Sequence, residues 1–330
     1  MTQTNDCQVG SAYEEEMMGD KSAKTEYDII INPKARSGMG EMVWKRLEPE
    51  LKKRRVSYRG YMTRKRNHAE KIAAEITADD RSHTLIVLGG DGTVNEVVNG
   101  IKNPEKITFG YIPIGSSNDF ARGLGIPKDP DRALDIILNP KKVIHMDLGI
   151  LTRAGKERRF AVSAGIGFDA AVCHEVCVSR WKIILNRIGL GKLSYAVVAL
   201  DRLRKDRPMT VKMRFPDGKE KIFDKTYFAA FMNLPYEGGG FKFCPEASAK
   251  DGLLDVAVLH GVSVLKILFL LPLAFAGKHV GFKGVNILKC KQVQIKSSKA
   301  CPLHTDGEPG FLRKEITVRA REAWMRVITG

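Results

Sequence analysis

The sequence predicts an α/β N-terminal domain with a parallel sheet and a mainly β, β-sandwich-like C-terminal domain. Up to residue 142, short apolar runs alternate with segments of helical spacing, and this alternation is typical of a parallel sheet. Beyond residue 142, strand-like runs follow one another, and turns such as Pro216-Asp217-Gly218 separate them. A chain of 330 residues with 43% hydrophobic and 28% charged residues is long enough for two domains with separate cores.

The elements of the first domain are predicted from the spacing of apolar residues. The run from Tyr27 to Asn32 is short and rich in isoleucine, and Asn32-Pro33 ends it, so it predicts a buried strand. Val43, Leu47 and Leu51 share one face of a helix predicted over residues 42–53. By the same reasoning, strands are expected at residues 57–62, 84–88 and 107–112, and helices at 68–76 and 133–138.

The second domain is predicted to consist mainly of strands. They are expected at residues 143–149, 159–164, 209–215, 227–233, 254–259, 293–297 and 316–319. Helices are expected around residues 180–203 and 263–278. The longest apolar stretch, Ile267–Ala276, contains Pro272 and is far shorter than the ~20 residues that span a bilayer, so a soluble or peripheral protein is expected.

Changes in composition set the expected domain limits. Residues 1–26 are polar and acidic without an apolar signal core, so they are expected to form a disordered tail rather than an export signal. The α/β domain is expected over residues 27–142 and the β domain over 143–310, with 311–330 returning to the first domain. The six scattered cysteines form no C-x-x-C pair, which favours free thiols in a reducing cytoplasm.

The net charge of +16 predicts attraction to anionic partners such as membranes, nucleic acids or polyphosphates. Basic residues cluster at Lys52–Arg55 and at Arg64–Arg66. Charge alone does not choose among these partners. Because the sequence contains no recognisable nucleic-acid-binding module, no nucleic-acid partner is expected.

A glycine-rich turn stands between the run Thr84–Leu88 and a segment of helical spacing. It reads Gly89-Gly90-Asp91-Gly92-Thr93 and is followed by Val94-Asn95-Glu96. Glycines let the backbone approach a ligand closely, and the free amides at a helix start favour an anion. A carboxylate beside polyphosphate would repel it unless a cation lies between them or the carboxylate handles a proton. Asp91 therefore indicates a metal-nucleotide site rather than a simple anion pocket.

Two further polar turns follow predicted strands. One contains Asn32-Pro33 and Arg36-Ser37-Gly38, and the other is Gly115-Ser116-Ser117-Asn118-Asp119 followed by Phe120-Ala121-Arg122. All three turns are expected at the carboxyl ends of parallel strands, where open α/β sheets bind their ligands. A fourth candidate, Asp306-Gly307-Glu308, lies far along the chain and is also compatible with a simple β-turn.

Together these four segments resemble the diacylglycerol kinase catalytic domain family, in particular the bacterial-type soluble lipid kinases related to sphingosine kinases. The resemblance covers nearly all of the chain from Tyr27 onward. It implies an α/β domain of the kind found in NAD kinases and diacylglycerol kinases, which binds the nucleotide, and a β domain that receives the lipid. It also implies ATP and Mg²⁺ as cofactors.

The resemblance assigns roles residue by residue. Glu308 would be the general base that takes the proton from the lipid hydroxyl, and Asp91 and Asp119 would orient Mg²⁺. A structural magnesium site is implied at Ser248, Asp251 and Leu253. The residues implied to bind ATP or to support its loop are Asn32, Arg36, Ser37, Thr63, Gly90, Asp91, Gly92, Thr93, Asn95, Glu96 and Ser116.

The implied function is an ATP-dependent lipid kinase that phosphorylates diacylglycerol or a similar lipid and gives a phosphatidate-type product. Such an enzyme would be cytoplasmic and peripheral at an anionic membrane, and the sequence leaves a homodimer open. Gly238–Phe241 and the apolar segment Leu265–Val280 are candidates for the lipid side, although the latter also fits a core helix.

Two alternatives stay open. An NAD kinase shares the glycine-aspartate loop, but the Asn32-Pro33 turn and the run from Asn118 to Arg122 argue against it. A non-catalytic nucleotide- or nucleic-acid-binding protein is suggested only by the charge.

Overall fold

The computed structural model describes residues 26–172, 203, 207–310 and 312–330. The expected N-terminal tail, apart from Glu26, lies outside the described residues, and so does the helix expected around residues 180–203, apart from Leu203. The predicted fold class is confirmed: parallel strands and helices form the first part of the chain, and antiparallel strands form most of the second.

The first domain is built on four parallel strands in the order β4-β3-β1-β2. Helices cover both faces of this sheet, so its inner strands are apolar throughout; Ile29, Ile30 and Ile31 are all buried. The strands are β1 (Glu26–Ile31), β2 (Ser57–Met62), β3 (His83–Gly89) and β4 (Ile107–Pro113).

Five helices surround this sheet, and a 3₁₀ turn at Pro104–Lys106 precedes β4. One face packs against a core that contains Val97, Phe109 and Phe120, and the other against a core that contains Leu47 and Leu134. The helices are α1 (Ala35–Lys53), α2 (His68–Ile76), α3 (Asp91–Gly100), α4 (Asp119–Leu124) and α5 (Pro130–Leu138).

The second domain is antiparallel and contains a further helix, α6 (Val264–Phe275). The predicted strand over residues 159–164 is divided between β6 and β7, and β11, β13 and β14 have no counterpart among the predicted strands. The strands are β5 (Val143–Arg153), β6 (Lys156–Phe160), β7 (Ser163–Gly167), β8 (Met209–Arg214), β9 (Glu220–Met232), β10 (Leu254–His260), β11 (Val285–Cys290), β12 (Gln292–Cys301), β13 (Leu303–Thr305), β14 (Glu308–Pro309) and β15 (Arg313–Ile328).

Strand β15 joins the two domains. Its first half pairs antiparallel with β12, and its last residues pair parallel with β4, where Val327 lies opposite Phe109. Met146 and Trp324 from the second domain enter the same core cluster as Phe109. The two domains therefore share one sheet and one core at this junction. Within the described residues, no helix combines the length and the apolar character needed to cross a bilayer.

Candidate active site

The three polar turns of the first domain meet at one edge of the sheet, because the carboxyl ends of its parallel strands lie side by side. The Asn32 amide donates to the Leu88 carbonyl at 2.9 Å, and the Ile114 amide donates to the Gly89 carbonyl at 2.7 Å. Thr63 follows β2, is buried, and donates its amide to the Ile31 carbonyl at 2.8 Å. The four strand ends thus bring Asn32, Thr63, Gly90 and Gly115 to one edge.

The first turn has an unusual backbone. Arg36, Ser37 and Gly38 all have positive φ, at 45°, 58° and 96°, and they interrupt the start of α1. Such a conformation costs roughly 1–3 kcal/mol for each non-glycine residue and is typical of functional turns. Arg36 and Ser37 are exposed at this edge. The Asn32 side chain donates to the Thr93 hydroxyl at 3.0 Å, so the first turn is tied to the glycine loop.

The glycine loop opens α3, with Gly90 as its extended N-cap. The amides of Thr93 and Val94 both donate to the Gly90 carbonyl, at 2.8 and 3.1 Å, and close the first turn. The amides before them have no acceptor within the helix and suit an anion. A Cβ on Gly90 would lie 3.1 Å from the Gly115 Cα, so the two loops pack backbone against backbone. Ser116 is exposed in the second of these loops.

Asp91 uses both carboxylate oxygens as a helix cap. They accept from the amides of Asp119 and Phe120, each at 3.1 Å, and so close the N-terminus of α4. Burial, with the nearby charge of Asp119, raises the pKa of Asp91 to about 7. The side chain predicted to orient Mg²⁺ is therefore engaged with the protein and holds the next loop in position.

Asp119 has one carboxylate oxygen engaged and one without a hydrogen bond. Its Oδ2 accepts from the Gly239 amide at 2.7 Å, whereas Oδ1 is buried without a hydrogen-bond partner among the described residues. The Arg122 guanidinium lies nearby, with its Nε 4.0 Å from Oδ1. Burial raises the pKa of Asp119 to about 6. An unsatisfied buried carboxylate oxygen fits a hard cation such as Mg²⁺.

Glu308 lies directly against the glycine loop, although 216 positions separate it from Gly92 in the sequence. A Cβ on Gly92 would lie 2.8 Å from Glu308 Oε1, so the glycine makes room for the carboxylate. The other oxygen, Oε2, accepts from Arg66 Nη2 at 2.5 Å. Arg66 follows Thr63 by three residues and was visible in the sequence only as part of a basic run.

Asp306 fixes the turn that carries Glu308. Its Oδ1 accepts from the amides of Val162 and Ser163, at 2.8 and 3.0 Å. Its Oδ2 accepts from the Ala161 amide at 2.9 Å and from Asn95 Nδ2 at 2.8 Å. These bonds join the turn to the segment between β6 and β7 and to helix α3, which positions Glu308 over the loop.

Asn95 and Glu96 are engaged with protein groups. Asn95 is fully buried, and its Oδ1 accepts from Arg158 at 2.6 Å. The Glu96 carboxylate accepts from the amides of Asn67 and Ala69, at 2.9 and 3.1 Å, where α2 begins. Both side chains therefore bind other parts of the protein and support the glycine loop from behind.

The loop with the implied structural magnesium site contains an ammonium group. Asp251 accepts from the Leu253 amide at 3.1 Å through Oδ1, and its Oδ2 lies 3.5 Å from Lys289 Nζ. The same ammonium lies 3.7 Å from buried Asp255. Ser248 and Leu253 offer carbonyl oxygens suited to Mg²⁺. The Asp251 carboxylate nevertheless already has a positive partner, so this donor set fits the ion less well than Asp119 does.

A buried cluster lies behind the Glu308 turn and was not recognised from the sequence. His304 Nε2 lies 2.7 Å from Asp169 Oδ2 and 3.0 Å from Glu237 Oε1. His304 Nδ1 accepts from the Gly307 amide at 3.2 Å, so the ring proton lies on Nε2, which donates it to Asp169 Oδ2. That tautomer has no Nε2 lone pair for a metal. The cluster is therefore a support for the turn that carries Glu308.

A cavity of about 300 Å³ lies beside this cluster in the second domain. Gly167 and Phe168, which directly precede Asp169, form part of its wall. Its other lining residues are mainly apolar, with two basic ones: Ala171, Arg207, Met209, Tyr227, Lys299, Ala300, Cys301, Pro302 and Leu312. Polar and apolar atoms contribute about equally to the wall of this cavity.

Two family models match the chain. The diacylglycerol kinase catalytic domain matches residues 26–151, and the YegS C-terminal NAD kinase beta sandwich-like domain matches residues 161–323. The boundary between them falls between β5 and β7, close to the change from the parallel to the antiparallel part of the structure.

Relatives that align with most of the chain are named as lipid kinases or diacylglycerol kinases. A Bacillus subtilis protein named "Putative lipid kinase YtlR" is 33% identical over 85% of this chain and 92% of its own length. A Bacillus subtilis diacylglycerol kinase is 32% identical over 86% of this chain and 89% of its own length. A Bacillus anthracis structure titled as a diacylglycerol kinase, 21% identical, has the same fold, with a TM-score of 0.66 over 93% of this chain and 97% of that one. The chain belongs to the diacylglycerol kinase catalytic domain family and is a lipid kinase of that family.

Proposed function

We propose that the protein transfers the γ-phosphoryl group of ATP to the hydroxyl group of diacylglycerol or a similar lipid at a membrane surface. One observation supports this most strongly: the Glu308 carboxylate lies against Gly92 of the glycine loop, at 2.8 Å from the position of a Cβ there. A carboxylate at this point could reach both a phosphoryl group on the loop and an alcohol that approaches from the second domain.

The glycine loop is the proposed phosphate site. Free amides at the start of α3 and the positive charges of Arg36 and Arg66 would attract the ATP phosphates. Asn32 and Ser37 lie on the neighbouring turn, and Thr63 lies at the end of β2. Most of the catalysis in phosphoryl transfer comes from position and charge, so these rigid strand ends would supply much of the rate.

Mg²⁺ fits next to Asp119, whose Oδ1 is buried and lacks a hydrogen-bond partner among the described residues. Such an ion would neutralise charge on the phosphates. The role of Asp91 in this proposal is to hold α4, and therefore Asp119, in position.

Glu308 is the proposed general base. It would accept the proton of the lipid hydroxyl while the oxygen attacks the γ-phosphorus and the bond to the β-phosphate oxygen breaks. Asp306 and the His304 cluster would keep its turn in position. The cavity beside Asp169, with Phe168 and Met209 in its wall, is the proposed site for part of an acyl chain.

The test is transfer from labelled ATP to a panel of lipids in mixed micelles, namely diacylglycerol, monoacylglycerol, ceramide and a sphingoid base, with NAD in a separate reaction. Labelled diacylglycerol is expected. The absence of a labelled lipid would refute the proposal, and phosphorylated NAD would favour the small-molecule kinase.

The matched variants are Glu308→Gln and Glu315→Gln. Glu315 is exposed on β15, so its change is expected to leave turnover intact. Glu308→Gln is expected to reduce turnover by about 10²–10⁴-fold, the usual contribution of a general base, with ATP binding unchanged. Equal turnover in both variants would exclude the proposed role of Glu308.

A further inference from the structure

Helix α6 presents an apolar face to solvent. The side chains of Leu265 and Phe269 are 79% and 58% exposed, and Phe275 near the end of the helix is 49% exposed. On the opposite face, Ile267 and Leu270 are buried in the second domain. A helix that is apolar on all sides is normally buried, so the exposed side of α6 indicates an additional contact.

The exposed face continues beyond the helix. The ring of Phe282 packs edge-on against Phe269, with centroids 6.0 Å apart, and Val280 is 48% exposed. We call the five side chains Leu265, Phe269, Phe275, Val280 and Phe282 the α6 patch.

The charge around the α6 patch is entirely positive along this segment. From Gly261 to Lys283 the sequence contains three lysines, Lys266, Lys278 and Lys283, and no carboxylate. The Lys266 ammonium donates to the Lys283 carbonyl at 2.7 Å, which ties the helix to the loop that carries Phe282. Large apolar side chains with adjacent lysines are typical of a helix that lies in the interface of an anionic bilayer.

The α6 patch also touches the candidate active site. Phe275 packs edge-on against Phe241, with ring centroids 5.6 Å apart, and its Cε2 lies 3.2 Å from the Cβ position of Gly240. In the same loop, the Gly239 amide donates to Asp119 at 2.7 Å. One short loop therefore connects the patch to the carboxylate proposed to face Mg²⁺.

We propose that the α6 patch is the surface by which the protein docks on an anionic lipid bilayer, with the active-site cleft beside the membrane. This inference deepens the proposed function and rests on it, since a lipid acceptor has to be reached in a bilayer. The Phe275 contact lets insertion of the patch act on the loop that holds Asp119.

The test measures binding of the full chain to phosphatidylcholine vesicles with and without 30% phosphatidylserine. Withdrawing one Leu or Phe side chain from water is worth about tenfold or more in affinity, so Leu265→Gln with Phe269→Gln is expected to weaken binding about 100-fold. The control is Ile222→Gln on β9, whose side chain is 62% exposed and lies outside the patch. Equal losses in both variants, or no loss in either, would overturn the proposal.

A second measurement does not depend on loss of binding. Phe269→Trp is expected to be quenched by brominated lipids in the vesicles, whereas Ile222→Trp is not. Quenching of both or of neither would contradict the docking surface. Sedimentation in the absence of lipid tests whether the patch instead binds a second copy of the chain. A dimer that dissociates in the Leu265 and Phe269 double variant would make the patch a self-association surface and would overturn the proposal.

Activity on a short-chain diacylglycerol, dissolved below its micelle concentration, separates the two proposals. Full activity there with weakened vesicle binding in the double variant supports docking through α6. Vesicle binding through the patch without lipid phosphorylation would leave the docking surface and refute the proposed function. Lipid phosphorylation together with unchanged vesicle binding in the double variant would support the proposed function and refute the docking surface.

Discussion

Asp119→Asn is expected to stabilise the nucleotide-free protein while it abolishes activity. Asp119 is buried, and its Oδ1 lacks a hydrogen-bond partner among the described residues. Asparagine keeps an oxygen for the Gly239 amide and removes a charge that the fold does not satisfy. Activity is lost because the neutral side chain no longer offers a carboxylate to Mg²⁺.

The magnitude follows from the pKa of Asp119. A rise of this pKa from the ordinary value of 3.8 to about 6 means that the folded protein disfavours the ionised carboxylate by roughly 3 kcal/mol. The lost attraction to Arg122, whose Nε lies 4.0 Å away, reduces this gain. We therefore expect an increase of about 2–3 kcal/mol in the free energy of unfolding at pH 8.

The gain depends on pH with a definite sign. Because the folded-state pKa of Asp119 is raised, the native protein binds more protons than the unfolded chain between pH 4 and 6, and its stability falls as the pH rises through this window. The advantage of Asp119→Asn is therefore complete above about pH 6 and absent near pH 4.

Asp306→Asn is the matched control. The Asp306 carboxylate accepts four hydrogen bonds, three of them from backbone amides, so an amide nitrogen at that position would face a donor. We expect Asp306→Asn to lower the free energy of unfolding by about 1–3 kcal/mol. The assay is urea unfolding of both variants at pH 4 and pH 8 without Mg²⁺. If Asp119→Asn fails to stabilise at pH 8, or if both changes shift stability in the same direction, the argument from the unsatisfied oxygen is refuted.

Three further predictions concern the same region. Gly92→Ala is expected to lower turnover about tenfold or more, because its methyl group would lie 2.8 Å from Glu308 Oε1; normal turnover with unchanged ATP binding would contradict this. Asn95→Ala is expected to lower the free energy of unfolding by about 2–3 kcal/mol, since the partly buried Asp306 and Arg158 each lose a hydrogen-bond partner; chemical denaturation would measure this loss, and unchanged stability would count against a structural role for Asn95. Turnover is expected to rise with pH through about 6 to 7 as Asp119 and Asp91 lose protons, and a flat profile of kcat/KM at constant free Mg²⁺ would disagree.

The parts of the fold that the sequence predicts best are those where local pattern and environment agree. The apolar run of β1 is buried on both faces, and its turn residues mark where it ends. Since parallel strands end at a common edge, the meeting of Asn32, Gly90 and Gly115 could also be predicted. Element limits in the second domain were less accurate, as in the division of residues 159–164 between β6 and β7, because residues 160–164 are all buried and the burial pattern does not mark the break between the two strands.

The partners of charged side chains could not be predicted. Arg66 and Glu308 form an ion pair across 242 positions of sequence, and a basic run gives no indication of such a partner. Likewise, the sequence does not show that Asp91 caps α4 or that Lys289 faces Asp251. These are tertiary contacts between polar groups, and the periodicity of apolar residues carries no information about them.

The shared strand β15 has a consequence for how the chain is made. Residues 326 and 327 pair with β4, so one side of β4 has no strand beside it until more than 200 further residues have been synthesised. An unpaired apolar strand edge invites association with other chains. During synthesis, the sheet of the first domain is therefore expected to stay incomplete until the segment that also completes the second domain has been made.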